Sequence, residues 1–489
     1  MTTSITNNSN PIEFDKNNSN QSKIISQNSL DKEKNEENLV TITHQIINDQ
    51  DQDQDQDHDQ DKEEIYFAGD NYSSLRKNLI VLICSIACFL APMSSMAFLP
   101  AVSIIAKRFN TTGTIIDLSN AIYCIVMAIS PPILNPLCNI YGRRNSFLFF
   151  LTLFIVVTAI TAVSQNLTMF FIFRALSALF GTSFFGSSAL IISDLYKPIE
   201  RGTANGWTLL GSQIGPTLGP VLGGIIVTYY DWRFIFWLQV IIAGINLIFA
   251  IIFLPETLSN KFDKNSIKYN PFKMLKIFKY KNLILAGIIS SSIHFSMYSL
   301  LTPITYVVNP RFNLNTPVLG SLFYLAPGSG YIVGALFGGR YADYTVKKYI
   351  VKRNGIRIPE DRLHSMIIGY CILLPITILI YGWTLQEKKG GIALPVIAMF
   401  FNGVAQTFCY TSNNTYCIDC MPEHMKSDSI GSNYFIRFIF AAIGTGTVLK
   451  EVETIGIGWS TTISAIFLMI GSISLIWLMK FGHKYRPQN

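Results

Sequence analysis

The 489-residue chain is 49% hydrophobic and only 14% charged, where soluble domains carry about 25% charged residues. That deficit, with apolar runs recurring near the length of a bilayer-crossing helix, places it among polytopic membrane proteins. Its net charge of +7 resides in basic residues between the apolar runs, where it reads as a topology signal and argues against a nucleic-acid partner.

Residues 1–72 form a polar tail containing the run Asp49-Gln-Asp-Gln-Asp-Gln-Asp-Gln-Asp57-His-Asp-Gln-Asp61. Such a run repels itself and has nothing to bury, so the tail is expected to be disordered. No basic region followed by an apolar core opens the chain, and no signal peptide is expected. Twelve apolar spans follow, near 78–102, 115–138, 146–164, 168–193, 204–228, 233–254, 282–306, 318–338, 363–384, 391–412, 430–449 and 457–480. Basic residues crowd the connections after spans 2, 6 and 8: Arg143 and Arg144; Lys261, Lys264, Lys268, Lys273, Lys276, Lys279 and Lys281; Arg340, Lys347, Lys348, Lys352, Arg353, Arg357 and Arg362. The positive-inside asymmetry then puts both termini in the cytosol. The resulting division is a tail (1–72), a first six-helix bundle (73–256), a basic linker (257–281) and a second bundle (282–489).

The eight cysteines fall mostly inside apolar spans, which does not suit a disulfide framework. Cys417-Ile-Asp-Cys420 has no second pair, and no metal site is expected. No phosphate loop, catalytic triad or carboxylate pair inside a span is present, which argues against an enzyme.

Span 5 contains Gly211, Gly215, Gly219 and Gly223 at four-residue spacing, interrupted by Pro216 and Pro220 and followed by Gly224. The spacing stacks the glycines on one helix face. The prolines remove backbone donors and tend to bend the axis, which lipid-embedded helices tolerate when neighbours satisfy the freed groups. Small residues in series let two membrane helices approach closely. A bent, tightly packed contact is expected. A weak repeat links the bundles: Asn135-Pro-Leu-Cys-Asn139-Ile-Tyr-Gly142-Arg143-Arg144 after span 2 and Gly334-Ala-Leu-Phe-Gly338-Gly339-Arg340-Tyr-Ala-Asp343 after span 8. Duplicated bundles related by an axis along the membrane normal are a common transporter plan.

Taken together, these residues resemble the major facilitator superfamily over nearly all of the chain beyond the tail, and within it the fungal twelve-span drug:proton antiporters. The Gly211–Gly224 stretch matches their span 5 signature, and with its spacing this resemblance implies a seal between the two bundles. Arg174-Ala-Leu-Ser177-Ala178, Asp194-Leu-Tyr-Lys-Pro-Ile-Glu200-Arg201-Gly202, Asp231-Trp232-Arg233 and Leu254-Pro255-Glu256-Thr257 stand where the family's elements of spans 4 to 6 stand. Gly338–Lys348, Pro359–Leu363, Ser412–Tyr416 and Phe438–Ile443 resemble the quinidine-resistance subgroup. In the loop after span 2 the family pattern Gly-x-x-x-Asp-Arg-x-Gly-Arg-Arg is altered: Asn135, Asn139 and Ile140 replace its glycine, aspartate and first arginine. The charge contacts attributed to that aspartate are not expected at neutral Asn139.

Four charged or titratable residues within the spans stand out as site candidates. Arg174, a permanent cation inside span 4, should face the bundle interior; the resemblance implies a part in proton coupling, and packing against backbone carbonyls is the alternative. His294 in span 7 is a candidate proton carrier or substrate hydrogen-bond acceptor, or a satisfied neutral histidine. Asp117 begins span 2 and is expected at the outer mouth of the pathway or as a plain helix start. Arg437 in span 11 is the fourth. Met93, Met96, Tyr298, Tyr324, Tyr331 and Phe401 are candidates for an adaptable lining. Gly142, Arg143, Arg144, Asp194, Arg201, Gly338, Arg340 and Asp343 are expected to form a cytoplasmic gate.

The expectation is thus an all-α protein of the major facilitator fold. It would act as a monomeric, proton-coupled exporter of small organic molecules in a fungal plasma membrane, with no cofactor. A transporter of a physiological solute and a non-transporting receptor are the alternatives.

Overall fold

The computed structural model describes residues 72–196, 201–258, 278–314, 316–422 and 425–486, apart from the side chains of 201–203, 205, 426 and 427. The polar tail up to residue 71 and most of the lysine-rich linker lie outside the described residues. Twelve long helices follow one another: α1 Ser74–Met96, α2 Gly113–Tyr141, α3 Arg143–Ala162, α4 Leu167–Leu195, α5 Arg201–Tyr229, α6 Phe234–Phe253, α7 Lys281–Leu301, α8 Leu325–Lys352, α9 Leu374–Gln386, α10 Ala393–Asp419, α11 Lys426–Ile455 and α12 Ile457–Phe481. Among the described residues there is no β-strand.

Local chemistry sets several helix ends. Ser73, Thr112 and Asn166 occupy the positions before α1, α2 and α4, and their side-chain oxygens accept from Arg76 N, Ile115 N and Met169 N, each replacing a bond that a first-turn amide lacks. Gly142 ends α2 and opens α3 with φ +96°, and Gly456 does the same between α11 and α12 with φ +85°. A side chain at either place would be strained.

Eleven of the described helical spans are long and apolar enough to cross a membrane, the ninth together with the helical turns from Pro359 that lead into α9. α11 is the helix that falls short of this on composition. Its place explains why: it packs between α2 and α7 and buries Ser429, Ser432, Asn433, Arg437 and Thr445. A helix surrounded by protein has no need of an all-apolar surface. The converse holds at the periphery. Ile241, Ile245, Ile248 and Ile252 on α6 and Ile466, Ile470, Ile473 and Trp477 on α12 are exposed, forming stripes suited to lipid.

The packing repeats between the first six helices and the second six. α1 packs on α5 and α7 on α11; α2 on α4 and α8 on α10; α3 on α6 and α9 on α12. The two sets meet through α2 with α11 and α5 with α8, pairs that exchange when each helix is replaced by its counterpart six places on. This is the pattern of two repeats about an axis along the membrane normal.

The glycine stripe of α5 departs from expectation. A Cβ at Gly215 would lie 2.8 Å from the Met93 amide nitrogen and 2.9 Å from the Phe89 carbonyl oxygen, and one at Gly219 would lie 2.8 Å from the Met93 oxygen. Gly211 and Gly223 face the Ser85 and Ala97 carbonyls more closely still. The stripe therefore seals α5 to α1 within the first set. Gly224, one residue off that face, meets Ser321 and Pro317 of the second set. Four-residue spacing specifies a close-packed face and not the helix that covers it.

Candidate functional site

A small cavity lies where the two sets meet, with free space of about 10 Å³, roughly one water. α5 contributes Ser212, Gln213 and Pro216, and α7 contributes His294, Met297 and Tyr298. Phe185 of α4 and Arg437 and Phe438 of α11 complete one side. Between the cavity and the face that carries the α2–α3 turn, Phe185 stacks on Tyr434, with ring centroids 5.3 Å apart and planes 3° from parallel.

Arg437 is 1% exposed. Its guanidinium carbon lies 3.9 Å from the Tyr434 ring centroid, 4.6 Å from that of Tyr410 and 4.7 Å from that of Phe438. Its Nε and Nη1 have no hydrogen-bond acceptor. His294 stands beside it, with Nδ1 3.2 Å from the Ser290 carbonyl and its ring against Tyr410 and Phe438. Two of the four charged or titratable span residues thus share the cavity. Tyr298 lines it too, and its hydroxyl lies 3.4 Å from Ser95 Oγ of the first set. Of the other proposed lining residues, Tyr324 donates to the Leu301 carbonyl and Tyr331 to Gln406 within the second set. Phe401 is exposed on the outside of α10, so it is no part of the lining.

The remaining two form a second cluster, nearer the face that carries the α1–α2 connection. Arg174 is completely buried. Its Nη2 donates to the Ser95 carbonyl and to Asn120 Oδ1, both at 3.2 Å, and its guanidinium lies 3.8 Å from the Phe98 ring centroid. The carbonyl packing weighed for this arginine is therefore present. Asp117, one turn before Asn120 on α2, is 3% exposed, a buried residue and not an open mouth. Its Oδ2 accepts from the Tyr306 hydroxyl at 2.7 Å, while Oδ1 has no partner. Tyr306 belongs to a π-helical turn, Ile304–Val308, that follows α7 after Pro303. This bond joins the two sets, and the Pro317–Ser321 helix packs on α5 at the same face. Tyr306 was not foreseeable: only the irregular backbone after Pro303, a feature often found at functional positions, hints at it.

The expected gate resolves into two clusters on the opposite, basic face. In the first set, Arg143 Nε lies 3.2 Å from Asp194 Oδ2, Nη1 donates to the Cys138 carbonyl at 3.0 Å, and Nη1 also donates to Asn139 Oδ1. Glu256 accepts from the Arg143 and Arg144 amides at 2.8 and 3.2 Å, placing a carboxylate on the first turn of α3 where the helix dipole favours it. A Cβ on Gly142 would lie 2.5 Å from Glu256 Oε2. In the second set, Asp343 pairs with Arg362 at 3.3 Å, Arg357 with Asp419 at 3.2 Å, Arg353 with Asp361, and Arg486 with Glu360. Gly338 packs against Phe408. Arg340 is exposed and makes no ion pair among the described residues. Arg201 opens α5, and its side chain lies outside the described residues. Among the described residues each of these ion pairs stays within one set, whereas the Asp117–Tyr306 bond crosses between them.

Comparison with known proteins agrees with this architecture. The efflux pump radE of Floropilus chiversii is 27% identical, over 85% of this chain and 82% of its own length. The MFS antiporter QDR3 of Candida albicans is 23% identical, over 85% of this chain and 79% of its own. The fold matches that of the proton:xylose symporter XylE with a TM-score of 0.65 at 15% identity, covering 84% of this chain and 96% of the other. It matches the human organic anion transporter MFSD10 with a TM-score of 0.60 at 16% identity, covering 82% and 99%. The Major Facilitator Superfamily profile matches residues 84–445, and the chain belongs to that superfamily of membrane transporters for small molecules.

Proposed function

We propose that the protein is a proton-driven exporter of small organic molecules, working by alternating access at the plasma membrane with its basic face and both termini in the cytosol. The observation that carries this reading is the Tyr306–Asp117 bond, a crossing between the two helical sets made by a buried carboxylate. It closes the face opposite the basic one. On the basic face the ion pairs hold each set separately, and the Phe185–Tyr434 stack stands between cavity and cytosol. Rocking of the two sets exposes the cavity to each side in turn.

Asp117 supplies the coupling. When the outer face opens, the carboxylate meets external protons. Closing that face over a neutral carboxyl avoids burying an unpaired charge, since Oδ1 has no partner inside. An external proton therefore favours the state that loads substrate from the cytosol. The proton is released to the cytosol while the cavity faces that side, and Arg174, reaching Asn120 one turn along α2, then stabilises the carboxylate. Export as the direction is supported by the α5 signature and by the relatives named as an efflux pump and an antiporter.

The test is accumulation of a labelled compound panel in cells with and without the protein, at external pH 5 and 7.5. Lower accumulation in protein-bearing cells, more so at pH 5, is expected. Equal accumulation in both cell types at both pH values refutes export.

A further inference from the structure

We infer that the central cavity, which holds about one water in this closed arrangement, widens as the two sets rock apart to take a carboxylate-bearing amphipathic molecule, its anionic end on Arg437 and Gln213 and its apolar body against Phe185 and Phe438. This deepens the transport reading and rests on it for the claim that the bound molecule is carried across.

Arg437 is a permanent cation near the middle of α11, and it has no carboxylate partner among the described residues. Its Nε and Nη1 are buried without an acceptor. Guanidiniums do not lose their charge in proteins, so this one is buried charged. Cation–π contacts, here with Tyr434, Tyr410 and Phe438, offset part of the cost of desolvating the ion but leave its Nε and Nη1 protons without acceptors. The balance favours an anion that the resting protein does not supply. A second orphan donor, Gln213 Nε2 on α5, lines the same cavity from the opposite set. Residues with donors lacking acceptors, one of them charged, thus line one cavity from the two helical sets. A carboxylate bridging them binds both, and its planar oxygens suit the guanidinium fork. Phe185 and Phe438, whose centroids are 6.2 Å apart at 16°, give an apolar wall for the rest of the molecule. Arg174 also has Nε and Nη1 without acceptors, but its Nη2 is held by Ser95 and Asn120 and it does not line the cavity.

The experiment uses the purified full chain and naphthalene-2-carboxylate, its amide and the matching naphthylmethylamine as probes. Calorimetry in detergent measures binding, and flux into proteoliposomes measures transport. The carboxylate is expected to bind roughly tenfold or more tighter than the amide. Arg437→Met should weaken the carboxylate roughly ten- to a hundredfold and leave the amide within about twofold, with Arg437→Lys intermediate. If Arg437→Met does not fold, Gln213→Leu carries the same comparison with a smaller loss. Absent carboxylate binding, equal affinity for carboxylate and amide, preference for the amine, or carboxylate affinity unchanged in Arg437→Met overturns the inference. Flux of the amine without the carboxylate leaves the transport reading standing and removes the anion site. Arg437-dependent carboxylate binding without flux keeps the site and removes the transport reading.

Discussion

The Tyr306 hydroxyl donates to Asp117 Oδ2 at 2.7 Å from a turn that belongs to the opposite helical set. Two residues 189 positions apart in sequence thus close one face of the molecule and place its buried, unpaired carboxylate at the closure.

Tyr306→Phe removes the donor and keeps the ring. A hydrogen bond to a neutral carboxyl contributes about 0.5–1.5 kcal/mol, so the closed outer face should lose roughly two- to tenfold in population. A cysteine placed at Gly113, whose would-be Cβ lies 3.4 Å from the Tyr306 hydroxyl, should then react faster with a membrane-impermeant thiol reagent in Tyr306→Phe than in the parent. Asp117→Asn keeps an acceptor but cannot exchange a proton. Export should persist at a reduced rate and lose its dependence on external pH. Asp117→Asn export that still rises between pH 7.5 and pH 5 would assign the coupling elsewhere.

The α5 glycines give a second prediction. A methyl group on Gly215 meets backbone atoms of α1, which have no rotamer to yield; overpacking of this kind costs about 1–3 kcal/mol. Gly215→Ala should lower the thermal unfolding midpoint in detergent, and larger side chains should lower it further. Gly244→Ala, with nothing within 4 Å of the new Cβ, should leave it unchanged. Loss of export in Gly215→Ala at full stability would restore the idea of a seal between the two sets.

How far these features were legible depends on what each residue needs to be interpreted. Spans, order and repeat follow from apolar length, because the lipid-facing isoleucines of α6 and α12 obey a solvent rule that sequence carries directly. The glycine spacing specified a face, while its partner α1 emerged only from packing. Arg437 was recognisable as a charge in a span, but that it lacks an acid and shares a cavity with Gln213 is a tertiary fact. Tyr306 was invisible, since a tyrosine near the end of a span is unremarkable until Asp117 is brought to it. Asn139 was read as a lost charge contact. It still accepts from Arg143, and the charge is supplied by Asp194 from α4.

That division of labour at Arg143 predicts a rescue. Asp194 is the carboxylate within reach of its guanidinium, and it also accepts from Thr257 Oγ1 at 3.1 Å. Removing one partner of a fully buried pair costs about 3–5 kcal/mol; with side-chain exposures of 7% for Arg143 and 24% for Asp194, the loss here falls toward the lower end of that range or below it. Asp194→Asn should therefore unfold at a lower temperature than the parent. Asn139→Asp returns a carboxylate to the same guanidinium, so the double variant should recover a large part of the loss. A double variant no more stable than Asp194→Asn alone would mean that Asp194 acts mainly through partners other than Arg143.

The aromatic layer below the cavity carries the last prediction. Phe185 lies flat against Tyr434 and near Phe438, and these rings join α4 to α11 between the cavity and the basic face. Aromatic pairs contribute about 0.5–1.5 kcal/mol beyond their buried area, so this contact is easier to break than the outer closure with its buried hydrogen bond and packed helix. Phe185→Ala should open the cavity toward the basic face without disturbing the Tyr306–Asp117 bond. A cysteine at Ser212, which lines the cavity, should be labelled faster by a reagent supplied on the basic side of oriented vesicles, and no faster from the other side. Phe185→Leu, which fills most of the same volume without the stacked face, should show an intermediate rate. Equal labelling of Ser212→Cys with and without Phe185→Ala would show that the stack does not restrict access and that the basic face is held by contacts other than these rings.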